Sequence, residues 1–535
     1  MKLRVFLLLA IALLALFLRV FQLSRSPGSL YWEETALLYD AHSIAETGKD
    51  MHGNPFPLIA FPSFGDYKPS LYFYAITPFV KIFGLQEISV KLPSILAGVG
   101  IAIFVFLIVE HLFGLKTAGI AGLLSAIQPW SVGVSRVGFE TNLATFLICV
   151  GVYFFLRVKK HTNGLWIIFG TIAFLLSMYT YHSARVVAPL LLALFGFEFL
   201  RNWRVYWKPM SISFLIFSIG VLPFIMKSSS PELLQRAKET SIFSDLSIIQ
   251  NSNAMRDAFG NTVFARIAYH RYFFFAREVA IRYTQNFSLK FLFVEGDQNT
   301  RHQTGEFGLL YHWELLSVLA GVFAIFSYKK ASELKLLGWI AISALPASLT
   351  TVTPHTLRFH SASPAFAILS AIGIVFLLAG VQKFLPRILY FGAFVGVIIG
   401  ITLEFFVYYH FLIIHYPGIV ARDFQYGYKD MVQYVFEHKG SGPAVITREQ
   451  GRPSVYYFVF NAIDPVEVQK NDTIALKDQQ EVLTFQDVFF RDPKGDDRTA
   501  LIASSKDKVP ANAIIEHEVW LPSGEPIWII WRYQQ

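Results

Sequence analysis

The sequence is poor in the features that announce soluble chemistry. Its 535 residues include a single cysteine and only 16% charged side chains. Cys149 sits inside an apolar run, which excludes an intrachain disulfide and reads as packing. There is no CxxC pair, no P-loop and no GxGxxG, so a nucleotide-driven cytoplasmic engine is excluded. Fixed-period repeats and low-complexity tracts are also missing, which rules out solenoids and disordered linkers as the organising principle.

In their place stands apolar bulk. Hydrophobic residues make up 54% of the chain, 52 of them phenylalanine, and the mean hydropathy is +0.45. That composition describes a polytopic α-helical membrane protein. Apolar runs of spanning length recur at about 3–23, 88–113, 117–134, 139–157, 164–181, 185–200, 210–226, 308–327, 335–352, 360–380 and 388–412, which predicts about 11 transmembrane helices. Residues 1–23 carry Lys2, Arg4 and Arg19, and the following "SRSPGS" lacks a small-x-small cleavage site, so the segment reads as a retained signal anchor.

The net charge of +8 suggests nucleic acid until its distribution is read. From residue 421 onward there are 13 Lys+Arg against 17 Asp+Glu, so the basic excess belongs to the apolar part. With the N-terminus in the cytoplasm, "RVKKHTN" (157–163), "RNWRVYWK" (201–208), "SYKKASELK" (327–335) and "VQKFLPR" (381–387) all fall inside, obeying the positive-inside rule. The partners implied are membrane lipids and no nucleic acid. The outer face then receives 24–87, 134–139, 181–185, 227–307, 352–360 and everything after about 413. "SLYFYAITPFVKIFG" (70–84) reads as a re-entrant or interfacial helix, and 262–287, which mixes aromatics with arginines, as a segment lying along the headgroups. The tail alternates short β-prone runs, "PAVIT", "TALIAS" and "PIWIIW", with polar helical stretches, predicting a small soluble α/β domain over 416–535 after a membrane domain over 1–415.

Adjacent acids directly after a span need a reason, because each makes the other harder to ionise. Glu33 and Glu34 are such a pair. If the segment after Trp32 is helical, the two point about 100° apart, so one can face a reacting hydroxyl while the other supports it. "SFGDYKPSLYFY" adds Asp66 and Lys68, "QPWSVGVSRVGFETN" adds Arg136 and Glu140, "MYTYHSARVVAP" adds His182 and Arg185, and "TPHTLRFHSASP" adds His355, Arg358 and His360. The cations suit an anion such as a headgroup-level phosphate, forked by Arg and point-charged by Lys. Taken singly, each residue commonly does no more than anchor a helix end or bond within a loop. The combination of acids in the first loop with Lys68 and several arginines carries the reading.

The run "YWEETALLYDAHSIAETGKD", the block "GDYKPSLYFYAITPFVKIFGLQEISVKLPSILAG", and "SRVGFETN", "YHSAR" and "LRFHSASP" resemble the type-C membrane glycosyltransferases, in the branch of the protein O-mannosyltransferases (glycosyltransferase family 39) and the lipid A aminoarabinose transferase. The resemblance is strong over 1 to about 190, follows span order to about 415 and does not reach the tail. It implies transfer of a monosaccharide, hexosyl or pentosyl, from a polyprenyl-phosphate-linked donor to a lipid, glycan or protein acceptor outside the plasma (inner) membrane, with inversion. It also implies that Glu33 is the base and that Lys68 binds the donor phosphate. Relatives carry Asp-Glu where this chain has Glu33-Glu34, so the base reaches about one C–C bond further.

On this reading the catalytic set is Glu33, Glu34 and Asp66, the donor phosphate falls to Lys68, Arg136, Arg185 and Arg358, and Glu140, His182 and His355 orient the acceptor. The chemistry admits a divalent cation, but no His/Asp cluster has ligand spacing in the sequence, so no metal residues are assigned. A transporter or flippase is the alternative, weakened because ionisable residues gather at span ends rather than the midplane. A scaffold displaying the tail domain is the third.

Overall fold

The computed structural model describes residues 1–158, 164–227, 230, 241–328, 331–384, 386–470, 474–475 and 481–534. Parts of the predicted basic loops, 159–163, 329–330 and 385, and part of the 227–307 loop lie outside them. In chain order the first elements are α1 (Lys2–Val20), α2 (Trp32–Thr47), a hairpin of β1 (Ala60–Ser63) and β2 (Asp66–Pro69), α3 (Leu71–Phe83), α4 (Glu87–Phe113), α5 (Leu115–Ile127), α6 (Pro129–Ser135), α7 (Glu140–Val158), α8 (Leu165–Met178), α9 (Ala184–Arg201) and α10 (Trp203–Met226).

All eleven apolar runs fold as helix. Six helices among the described residues are long and apolar enough to cross a membrane: Lys2–Val20, Glu87–Phe113, Glu140–Val158, Trp203–Met226, Thr356–Phe384 and Arg387–Ile419. The 117–134 run is broken, because Pro129 cannot continue the ladder of α5 and a second short helix starts there. α10 leaves Phe214, Leu215 and Ile219 exposed, and Arg387–His410 does the same with Ile388, Phe391 and Leu403. Such apolar exteriors suit lipid as solvent, and the protein is an integral membrane protein.

Two compact units emerge, and no single cut of the chain separates them. One comprises Met1–Arg19, Ser94–Ser135 and Glu140–Tyr408, and the other Val20–Pro93, Arg136–Phe139 and Tyr409–Gln535. The first loop thus clusters with the tail.

In the helical unit, some buried polar side chains pair across helices, which a lipid-solvated interior favours. Asn142 Nδ2 donates to Ser94 O at 2.6 Å and its Oδ1 lies 3.0 Å from His360 Nε2. Gln128 Nε2 donates to Glu314 Oε2 at 2.6 Å. The predicted headgroup segment folds as two helices, Val263–Ala268 and Arg271–Gln285. Phe264, Ile267, Tyr272 and Phe273 project from it into solvent.

In the other unit, α2 ends at Gly48, whose φ of +71° and N–H to Ile44 O at 3.0 Å form the left-handed cap. The tail sheet has strand order β6-β7-β3-β8-β10-β9, built from β3 (Ala444–Ile446), β6 (Thr484–Phe485), β7 (Val488–Phe490), β8 (Leu501–Ser504), β9 (Ala513–Trp520) and β10 (Pro526–Tyr533), with β4 (Ile474–Ala475) and β5 (Glu481–Val482) paired apart. β3 runs parallel to β7 and β8, and the remaining pairs of the sheet are antiparallel. α2 docks on this tail. Tyr39 OH donates to Ile463 O at 3.0 Å, and Gln469 Nε2 reaches Ser43 Oγ, Thr47 Oγ1 and Asp50 O at 2.8, 2.9 and 3.0 Å.

Candidate active site

The β1–β2 hairpin is the platform of the candidate site. Its two-residue turn, Phe64 and Gly65, has φ of +49° and +81°, the sign at both central positions that matches strand twist. Lys68 opposes Phe61 in the register, and Phe61 stacks on Phe73 of α3 with ring centroids 3.9 Å apart. This fixes the strand that carries the lysine.

α2 begins at Trp32, so Glu33 and Glu34 occupy its first turn, where unpaired N–H groups favour negative charge. The 100° step separates them as the helical reading requires. Glu33 turns to the hairpin: Oε1 sits 2.9 Å from Lys68 Nζ, and Oε2 accepts from Tyr31 OH at 3.2 Å. Asp66 Oδ2 stands further off, 3.9 Å from the same ammonium, while its Oδ1 accepts the Tyr67 N–H. The Lys68 side chain is 10% exposed and that of Glu33 34%, so the pair lies at the rim of a sheltered surface.

Glu34 points the other way and is completely buried. Its Oε1 accepts the Gly138 N–H at 2.7 Å. A side chain at Gly138 would meet Glu34 Oε1 and Val90 at 3.2 Å, so glycine permits this approach. Burial pushes the Glu34 carboxyl up to about 7, against the pull of Lys91 and of the Gly138 N–H. Lys91, fully buried with Nζ 3.3 Å from Glu87 Oε2, belongs to the "KLPS" run. No role was assigned to it from sequence, although a lysine inside an apolar helix is itself a signal.

The other sequence-predicted residues take separate positions. Arg136 is buried and bound to the chain itself: its guanidinium donates to Phe21 O, Gln22 O and Ser26 O at 2.9, 3.1 and 2.9 Å. These bonds clamp the turn that leaves α1. Five predicted residues fall in the helical unit. Glu140 is buried in the first turn of α7. Arg185 lies 3.1 Å from His182 Nδ1 and over the Phe224 ring at 4.8 Å. Arg358 donates to Thr350 Oγ1 at 2.6 Å and Val352 O at 3.2 Å.

His355 belongs to a cluster that spacing along the chain concealed. Its Nδ1 is 4.0 Å from Asp297 Oδ2, and His302 Nδ1 is 2.9 Å from the same oxygen. Burial raises the Asp297 carboxyl, but His302, His355 and the Thr356 N–H outweigh it and hold the group down at about 2. The chain separation from 302 to 355 hides this cluster from any motif search.

The fold class is that of the type-C membrane glycosyltransferases. ArnT from Cupriavidus metallidurans, solved bound to undecaprenyl phosphate, superposes with a TM-score of 0.56 at 12% identity over 98% of this chain and 97% of its own. The archaeal oligosaccharyltransferase AglB from Archaeoglobus fulgidus, solved with an inhibitory peptide and a dolichol-phosphate, gives 0.51 at 13% identity over 85% and 63%. Within that class, residues 67–226 match the family described as dolichyl-phosphate-mannose-protein mannosyltransferase. YycA of Bacillus subtilis (strain 168), provisionally named a mannosyltransferase, is 31% identical over 155 residues, 29% of this chain and 22% of its own length. YkcB of the same organism, named in the same way, is 29% identical over 101 residues, 19% and 14%. The chain therefore spans about a fifth or less of the curated relatives it matches.

Proposed function

We propose that the protein transfers a monosaccharide from a polyprenyl-phosphate donor to an acceptor hydroxyl on the non-cytoplasmic side of the plasma (inner) membrane, its N-terminus lying in the cytoplasm. The observation that carries this reading is the 2.9 Å contact between Glu33 and Lys68, at the first turn of α2 and on the hairpin strand. A base and a phosphate-binding cation are thereby held in one place. ArnT, solved with undecaprenyl phosphate, and AglB, solved with a dolichol-phosphate, support the donor class.

Without substrate, carboxylate and ammonium satisfy each other. A donor phosphate reaching Lys68 takes over the ammonium, and Glu33 is released to accept a proton. The acceptor oxygen then attacks the anomeric carbon, the carbon–oxygen bond to the phosphate breaks, the acceptor proton passes to Glu33, and the bonding pair leaves on the lipid phosphate facing Lys68. One displacement inverts the anomeric centre. Asp66, 3.9 Å from the same ammonium, keeps the lysine oriented toward the rim.

The test incubates purified protein with a panel of polyprenyl-phosphate sugars and follows free polyprenyl phosphate by mass spectrometry. Glu33→Gln is expected to lower turnover by about 10²–10⁴-fold, the range for loss of a general base. Lys68→Ala should remove donor-dependent release. Full activity in both variants, each folded, overturns these roles.

A further inference from the structure

The cluster Asp297, His302 and His355 belongs to the helical unit and has no part in the chemistry above. We propose that it binds one divalent transition-metal ion of the zinc type, which fastens the 295–307 loop to the 353–358 turn.

One ligand atom from each residue falls within 4.8 Å of the other two. A tetrahedral ion with bonds of about 2.0–2.1 Å needs its ligand atoms about 3.3 Å apart. The observed 2.9 and 4.0 Å separations from Asp297 Oδ2 bracket that edge. Two imidazoles and one carboxylate suit zinc and its neighbours; magnesium and calcium demand oxygen. The side chains are 6–13% exposed, sheltered from bulk water yet within reach of an entering ion.

The supports a metal site requires are already in position. Asp297 Oδ1 accepts the Asn299 N–H at 2.9 Å, Oδ2 accepts the Thr356 N–H at 2.8 Å, and Asp297 O accepts from Gln303 Nε2 at 2.6 Å. The carboxylate is therefore aimed before any ion arrives. The two imidazoles face each other with ring centroids 4.9 Å apart. His355 Nδ1 lies 3.4 Å from the Arg358 N–H, a long cap contact that coordination would replace.

The competing account is a His302–Asp297 hydrogen bond complete in itself, and the experiment separates the two. Full-length protein in detergent is stripped with chelator and titrated with zinc, then with cobalt(II), whose visible bands report tetrahedral nitrogen and oxygen ligands. One equivalent should bind, unaffected by millimolar magnesium, and backbone hydrogen exchange of 295–307 should slow. His302→Ala and His355→Ala should each weaken binding by at least about tenfold and abolish the protection. Where a variant fails to fold, the wild-type titration still decides. Substoichiometric zinc, absent cobalt bands, or unchanged affinity in both folded variants overturns the proposal and leaves a plain hydrogen bond.

Discussion

Glu33 and Glu34 are chemically alike and adjacent, yet their surroundings give them opposite work. Glu33 meets an ammonium at a half-exposed rim, whereas Glu34 meets a backbone N–H in the interior. The carboxyl of Glu34, raised from 4.5 to about 7 chiefly by burial, binds its proton more tightly folded than unfolded. Its contribution to stability is therefore complete below about pH 4.5 and is lost as pH rises through 7. The shift corresponds to roughly 3 kcal/mol across that window. Glu34→Gln keeps an oxygen for Gly138 and removes the ionisation. Thermal unfolding in detergent should show wild type losing stability between pH 5 and 7.5 and the variant holding nearly level. Parallel slopes for the two proteins would mean that Glu34 does not titrate in this range.

At the scale of elements, the turn at residues 20–26 is held by one side chain. Three carbonyls converge on the Arg136 guanidinium, and charge-assisted hydrogen bonds contribute about 1.5–3 kcal/mol each when lost singly, less when lost together. Arg136→Ala should destabilise the protein by about 3 kcal/mol and reduce activity in proportion to folded protein, with the donor KM unchanged. Arg136→Lys should fail to rescue, because a point charge cannot meet three carbonyls in a fork. A specific rise in donor KM with normal stability would instead restore Arg136 as a phosphate ligand. This residue shows where the sequence stops being informative. Periodicity finds the helices, and β-branched runs find β3, β8 and β10, because those signals are local. "SRVGFETN" identifies Arg136 as important but cannot say whether its partners are carbonyls or phosphate, since those partners lie more than 100 residues away. Asp297 escaped because only the fold brings His355 to it. Glu33 and Lys68 stand in the motifs that carry the resemblance, whereas the β1–β2 hairpin that brings them within 2.9 Å is not announced by the sequence.

At the scale of the whole molecule, the tail is structurally continuous with the first loop. α2 buries ten of its sixteen residues, and in its own unit Tyr39 packs on Phe458 at 5.4 Å, the Trp32 N–H donates to Gln425 at 3.3 Å, and Tyr456 OH donates to Leu30 O at 3.0 Å. Residues 421–535 therefore supply much of the wall that fixes the helix bearing Glu33. A tail that only recruits acceptor could be removed at the cost of acceptor KM alone. A tail that fixes α2 cannot be removed without loosening the carboxylate proposed as base, because positioning to within about 1 Å decides the rate. Deleting 421–535 should accelerate hydrogen exchange over 32–47 by at least about a hundredfold, as local opening free energy falls, and should lower kcat even at saturating acceptor. Retained protection of 32–47 with an isolated rise in acceptor KM would assign the tail to acceptor recruitment.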